Sequence, residues 1–190
     1  MSFDQRWSVA AVTVVLGLSL NACAVSGARP TERTLSPLVC AGGSVSSEDD
    51  AVAFEGCEVV TGDLRITASN LHDLEAFAQL RSVTGRLVIA NNLQLYRVEG
   101  LSQLAEVGEL SVVGNSRLNS LSGLRSLGRA RAVEIRNNPL LCARGMLPDL
   151  ASVGRLTLHQ NRGLSRSDVA RFVERVGLEK VTPAGRQAAL

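Results

Sequence analysis

An apolar-x-apolar pair returns every 23 residues along the middle of this 190-residue chain, at Leu64/Ile66, Leu87/Ile89, Leu110/Val112, Val133/Ile135 and Leu156/Leu158. Such alternation marks a strand with one buried face. A fixed period of this length means a small unit stacked on copies of itself. No single unit can bury its own apolar face, so the stack must share one continuous core and one parallel sheet. The period therefore predicts a leucine-rich-repeat-like solenoid of five turns of about 23 residues, spanning 61–163.

Three residues past each pair stands a second column: Ser69, Asn92, Asn115, Asn138 and Asn161. A buried amide at the end of a strand can satisfy backbone groups left unpaired where the chain turns. The asparagines are therefore expected to form a structural ladder rather than to bind a ligand. Gly62, Gly85, Gly108 and Gly154 precede the strand pairs and call for a tight corner or close backbone approach. Arg131 breaks that column, so the fourth turn is expected to take a different corner. Between strands, apolar residues recur every third position, as in Leu118, Leu121, Leu124 and Leu127, which suits a tight 3₁₀-like path better than a helix of period 3.6. Aromatic residues make up 3% of the chain, so the core must be aliphatic.

A stack needs covered ends. Val169, Phe172, Val173 and Val176 follow a helical stripe, with Ser165 or Ser167 as N-cap and Gly177 as terminator, so a capping helix is expected over 164–178. The 179–190 segment has no periodic signal and is expected to be a disordered tail.

The first 22 residues have a weakly basic start and a 12-residue apolar run, Val9 to Leu20, too short to span a bilayer and of signal-peptide length. Leu20-Asn21-Ala22-Cys23 resembles the lipobox of bacterial lipoproteins, which implies that Cys23 becomes a lipidated N-terminus. Ala22-Cys23-Ala24 also satisfies the small-x-small rule of an ordinary secretory peptide, and that alternative stays open. Residues 23–39 read as the lipidated cysteine and a flexible tether, rich in Pro, Ser, Thr and Ala. The expected location is the bacterial cell envelope, at the outer membrane, with the membrane as partner through the N-terminal lipid.

Export places the remaining cysteines in an oxidising compartment. Cys40 and Cys57 bracket 16 residues before the first repeat strand, which predicts a disulfide-closed N-terminal cap over 40–60. Pairing either with Cys142 would need a contact from the end of the stack to its middle. Cys142 is expected to be a small buried hydrophobe.

Between Gly56 and about residue 163, the segments GCEVVTGDLRI, LRSVTGRLVIANN and LAEVGELSVVGN carry a pattern that resembles the receptor L domain. This leucine-rich module occurs in insulin-receptor and EGF-receptor ectodomains and in bacterial surface proteins. The resemblance implies a right-handed single-stranded β-helix and, as in receptors, a grip on a protein or peptide ligand.

Residues flanking the inward pairs face outward. Asp63, Arg86, Glu109, Ala132 and Arg155 form one column, expected to be a solvated face with ion pairs between neighbouring strands. In the next two columns the apolar Val88, Ala90 and Val113 are bordered by Ser111 and rimmed by Arg65, Glu134 and Arg136, the make-up of a modest binding patch. Single apolar surface residues are also ordinary in strands, so a plain β surface is the competing reading.

A net charge of +2, with 20 basic and 18 acidic residues, shows no footprint of nucleic-acid binding. No zinc-ligand spacing, phosphate loop or nucleophile elbow occurs, and His72 and His159 are far apart in the repeat. No cofactor or metal is expected, and His72-Asp73-Leu74-Glu75 reads as a polar turn. The expected function is a non-catalytic interaction module for a protein or peptide. The alternative is an envelope glycan-acting enzyme using Glu109 and Glu134 on a β-helical support.

Overall fold

A computed structural model describes residues 36–143 and 146–177. The segment read as a signal peptide over 1–22, Cys23, the segment read as a tether as far as residue 35, and 178–190, which includes the segment read as a tail, lie outside the described residues.

Six strands form one all-parallel open sheet in chain order: β1 (Val39–Val45), β2 (Val59–Thr67), β3 (Ser82–Ala90), β4 (Glu106–Val113), β5 (Arg129–Arg136) and β6 (Ser152–His159). The register aligns Leu64, Leu87, Leu110, Val133 and Leu156 in one column, and Ile66, Ile89, Val112, Ile135 and Leu158 in the next. All of these are buried except Leu158, which is half-buried in the last strand. Each fully buried aliphatic side chain contributes roughly 1.5–3 kcal/mol, so the stacked columns carry most of the fold's stability.

Five strands were expected, and the sixth, β1, comes from the segment read as a cap. It pairs with β2 through Val39↔Val59 and Cys40↔Val60, and Val45 stands in the Ile66 column. Gly43 occupies the Leu64 column, so the apolar-x-apolar signature is absent there. The Phe54 ring lies against that glycine and the Phe77 ring, 5.8 Å between centroids, filling the place of the missing leucine. The Cys40–Cys57 disulfide ties β1 to the approach to β2.

Between β1 and β2 sits a short helix, α1 (Glu48–Val52), started by a reciprocal capping box of Ser47 and Asp50. Ser46, through its backbone N–H and then its hydroxyl, holds the Asp50 carboxyl below its usual range, with Ser47 adding to the effect. The helix α2 (Arg166–Arg175) begins the same way. Ser165 is its N-cap and, by its hydroxyl first and its backbone N–H second, lowers the pKa of Asp168. Phe172 and Val176 of this segment belong to the hydrophobic core, Gly177 takes a positive φ of 66°, and the Arg175 guanidinium donates to the Met146 and Leu147 carbonyls.

The every-third spacing becomes short 3₁₀ segments at Glu75–Phe77, Glu99–Leu101 and Ser122–Leu124. Phe77, Leu101 and Leu124 point inward from them. A Cβ on Gly123 would collide with the Val98 carbonyl of the preceding coil, so that glycine permits close stacking.

At the far end of each strand the asparagine column is buried and bonded along its length. Asn92 Oδ1 accepts from the Ser69 N–H at 2.9 Å, Asn115 Oδ1 from the Asn92 N–H at 3.0 Å, Asn138 Oδ1 from the Asn115 N–H at 3.0 Å, and Asn161 Oδ1 from the Asn138 N–H at 3.0 Å. Each Nδ2 also donates to a carbonyl of the preceding strand: Ile66, Ile89, Val112 and Ile135. The residue just before each ladder position has a positive φ: Ala68, Asn91, Gly114, Asn137 and Gln160. That is the left-handed corner each strand takes as it ends.

Arg131 does not redirect its strand. β5 continues the register of β4 on both sides of it, from Val107↔Ala130 to Glu109↔Ala132. A Cβ on Gly108 would stand 2.8 Å from its guanidinium and closer still to the Gly85 and Thr84 carbonyls, so the neighbouring glycine leaves room for it. Cys142 is exposed rather than buried. Leu141 takes the inward position, and the Cys142 thiol donates to the Asn119 carbonyl at 3.1 Å.

Candidate functional site

Because inward and outward residues alternate, the stacked register turns sequence spacing into outward columns. Arg65, Val88, Ser111, Glu134 and Thr157 align in one, and Thr67, Ala90, Val113, Arg136 and His159 in the next. All seven residues of the expected patch therefore lie on one face. Val88, Ala90 and Val113 are half-buried, each shielded by its neighbours across the strands.

Around them the polar groups are largely engaged with one another. Arg65 pairs with Asp63 of its own strand at 2.7 Å, and Ser111 Oγ donates to Glu134 Oε2 at 3.2 Å. Arg136 Nε lies 3.1 Å from Glu134 Oε1, yet it makes no aligned hydrogen bond and is shielded from solvent. Among the described residues it is the one buried side-chain donor of the patch that makes no hydrogen bond.

In the first outward column, Arg86 pairs with Glu109 across β3 and β4. Asp63 turns instead to Arg65, while its Oδ1 accepts from the Arg86 backbone N–H at 2.9 Å. The expected alternation of cross-strand ion pairs is thus half realised: two residues along one strand offered Asp63 a nearer guanidinium. Ala132 falls between Glu109 and Arg155 in the register, and its short side chain leaves a depression of about 240 Å³. Arg86, Glu109, Ser111, Glu134, Arg155 and Thr157 line it.

Chemically this face can bind by complementary charge and modest apolar contact. Glu109 and Glu134, the carboxylates a glycan-cleaving site would need, are each occupied by an arginine. Among the described residues no three His, Cys, Asp or Glu side chains gather where they could hold a metal ion. Among them, too, no helix is long and apolar enough to cross a membrane.

The sequence reading missed the surface where exposed large apolar groups collect on the repeats. Leu93 is 61% exposed, Leu140 59% and Tyr96 36%. All three lie just past the ladder and fall outside the every-third spacing of the inward residues. Their offsets from the asparagines carried the signal: Leu95 and Leu141, three past Asn92 and Asn138, point inward, and Leu93 and Leu140 stand between.

Parallel strands stacked at a constant period, returned by 3₁₀ coils and locked by an asparagine ladder, define a leucine-rich, solenoid-like module. The chain belongs to the receptor L domain family, whose model matches residues 56–168. No curated protein matches it. In receptors this domain is a ligand-binding module without catalytic activity, and the mutually engaged carboxylates of the sheet face are consistent with a binding role.

Proposed function

We propose that this chain is an exported, lipid-anchored bacterial envelope protein whose receptor L domain binds a protein or peptide ligand without catalysis. In this reading residues 1–22 are removed and Cys23 carries the lipid, anchoring the protein at the outer membrane by a short tether. The repeats wind as five right-handed turns. The disulfide segment covers one end and α2 the other. The ligand meets the outward face at Val88, Ala90 and Val113, bordered by Arg65, Ser111, Glu134 and Arg136. Family membership supports the binding class. The observation that carries the site is the register, which gathers the three apolar residues beside the Arg136 Nε, ion-paired with Glu134 but without an aligned hydrogen bond.

Crosslinking capture from cells, followed by mass identification of the bound species, tests this reading. Val113→Asp should reduce capture about tenfold or more, as expected for a charge buried in an apolar contact. Val113 is half-buried on the outer face, so thermal unfolding checks that the domain remains folded. Undiminished capture removes the patch. Cys23→Ser should release the protein from the membrane fraction, and unchanged location removes the anchor.

A further inference from the structure

A second surface lies around the corner from the sheet, on the ladder side. Residues one repeat apart are stacked there: the Asn119 N–H donates to the Tyr96 carbonyl at 3.3 Å, and the Cys142 N–H donates to the Asn119 carbonyl at 3.0 Å. Arg117 reaches Gln94 of the preceding repeat at 2.8 Å. Along this corner stand Leu93, Tyr96 and Leu140, the most exposed large apolar side chains of the repeats. Elsewhere, among the described residues, exposed large apolar groups occur at Leu38, Val39 and Val52 near the first strand.

From residue 91 onward the charge on this corner is one-sided. Segments 91–98, 114–121, 137–143 and 160–165 contain no Asp or Glu, but they carry Arg97, Arg117 and Arg162, all exposed, and the basic stretch ends at the preceding repeat, whose equivalent segment carries the exposed Asp73 and Glu75. The sheet face on the same repeats holds Glu109 and Glu134 against its arginines. Arg97 sits 4.8 Å over the Tyr96 ring and donates to its hydroxyl at 3.2 Å, so an aromatic and a guanidinium are presented together. Tyr and Arg are the residue types that most often anchor protein interfaces.

We infer that this ladder-side corner binds an acidic polypeptide segment bearing apolar side chains, its carboxylates meeting Arg97, Arg117 and Arg162 and its apolar groups covering Leu93, Tyr96 and Leu140. The inference rests on the reading of the chain as a binding module, but not on the sheet-face patch. Four stacked repeats at about 4.8 Å spacing span roughly 15 Å, the reach of four or five extended residues. The exposed amides of Gln94 and Asn119 interleave with the apolar groups. They suit a peptide backbone and would be costly to bury in hydrocarbon.

The test is selection of a random displayed-peptide library on the full chain, followed by binding of the winning peptides to variants. Winners enriched in Asp or Glu together with Leu or Phe are expected. Their affinity should fall about tenfold or more in Leu93→Ser/Leu140→Ser and in Arg97→Glu/Arg117→Glu, and should weaken with added salt. All four substitutions are at exposed positions, and the circular dichroism of each variant verifies its fold. Winners without acidic bias overturn the inference. So do winners lost on Val113→Asp but kept on the corner variants, an outcome that leaves the proposed function standing with the sheet face as its site. Corner-dependent sedimentation with phosphatidylglycerol vesicles and no peptide winner makes the occupant a lipid surface and overturns it as well. With neither peptide nor vesicle bound, this inference falls while capture through Val113 is still judged on its own result.

Discussion

Two columns run across the same strands and obey opposite rules. The buried one repeats a single residue at positions 92, 115, 138 and 161, while the outward one reads Arg86, Glu109, Ala132, Arg155. Inside, each repeat poses an identical problem: a buried strand-end carbonyl and, three residues further on, a buried backbone amide, neither paired within the strand ladder. Only a side chain with an acceptor and donors at that reach solves it, so asparagine recurs. Outside, water satisfies whatever is left over, and the column is free to vary. Regularity in this molecule therefore reports structure, and departure from regularity is where a binding task can be written.

The sharpest way to break the contrast is to remove one rung. In Asn115→Ala, the Asn92 N–H loses the Oδ1 it donates to at 3.0 Å and the Ile89 carbonyl loses the Nδ2 at 2.9 Å. Each buried group left unpaired costs about 1–3 kcal/mol, so a loss on the order of 4 kcal/mol is expected in urea unfolding. A loss below about 1 kcal/mol would mean that water enters the corner and that the ladder is not what closes it.

The residue before the ladder sharpens the comparison at smaller scale. Asn91, Gly114 and Asn137 suit the left-handed corner, whereas Ala68 is held there at φ 50°. Ala68 is exposed and its N–H donates to the Ala90 carbonyl at 2.9 Å, so Ala68→Gly keeps the bond and relieves the conformation. A gain of about 0.5–1 kcal/mol is expected, less than the roughly 1–2 kcal/mol strain because glycine also loosens the unfolded chain. Gly114→Ala should go the other way, since Gly114 sits at φ 69°, where a Cβ is strained, and the Asn91 side-chain oxygen would also have to move aside. Equal stabilities for both variants would show that the corner imposes no backbone preference.

Periodicity made the interior legible: the strand columns, the 3₁₀ returns and the asparagine column all follow from counting by 23 and by three. Where one element borrowed from another, counting failed. β1 lacks the signature because Phe54, from a different segment, fills the Leu64 column above Gly43. The Ser47–Asp50 capping box was readable in principle as a helix start, but α1 is a single turn and shows no apolar stripe. Arg131 looked like a broken corner because the space it uses belongs to Gly108, one repeat away. Cys142 shows the same limit from the other side. Apolar composition says a residue could be inside, and only the offset from the ladder says whether it is.

The smallest expected effect bears most directly on what the outer face is for. Glu109→Gln removes the charge that Arg86 meets across β3 and β4 but keeps a similar shape. Both side chains keep substantial contact with water, at 52% and 30% exposure, so the pair is screened and the change should cost less than about 0.5 kcal/mol, diminishing further in high salt. If urea unfolding instead shows a cost comparable to Asn115→Ala, the outward column is part of the scaffold and its variation along the stack is constrained by folding. If the cost is small, as expected, the charges of this face and the depression beside Ala132 are free of a structural duty. Their arrangement can then be altered residue by residue to map ligand binding, without each loss of binding having to be separated from a loss of fold.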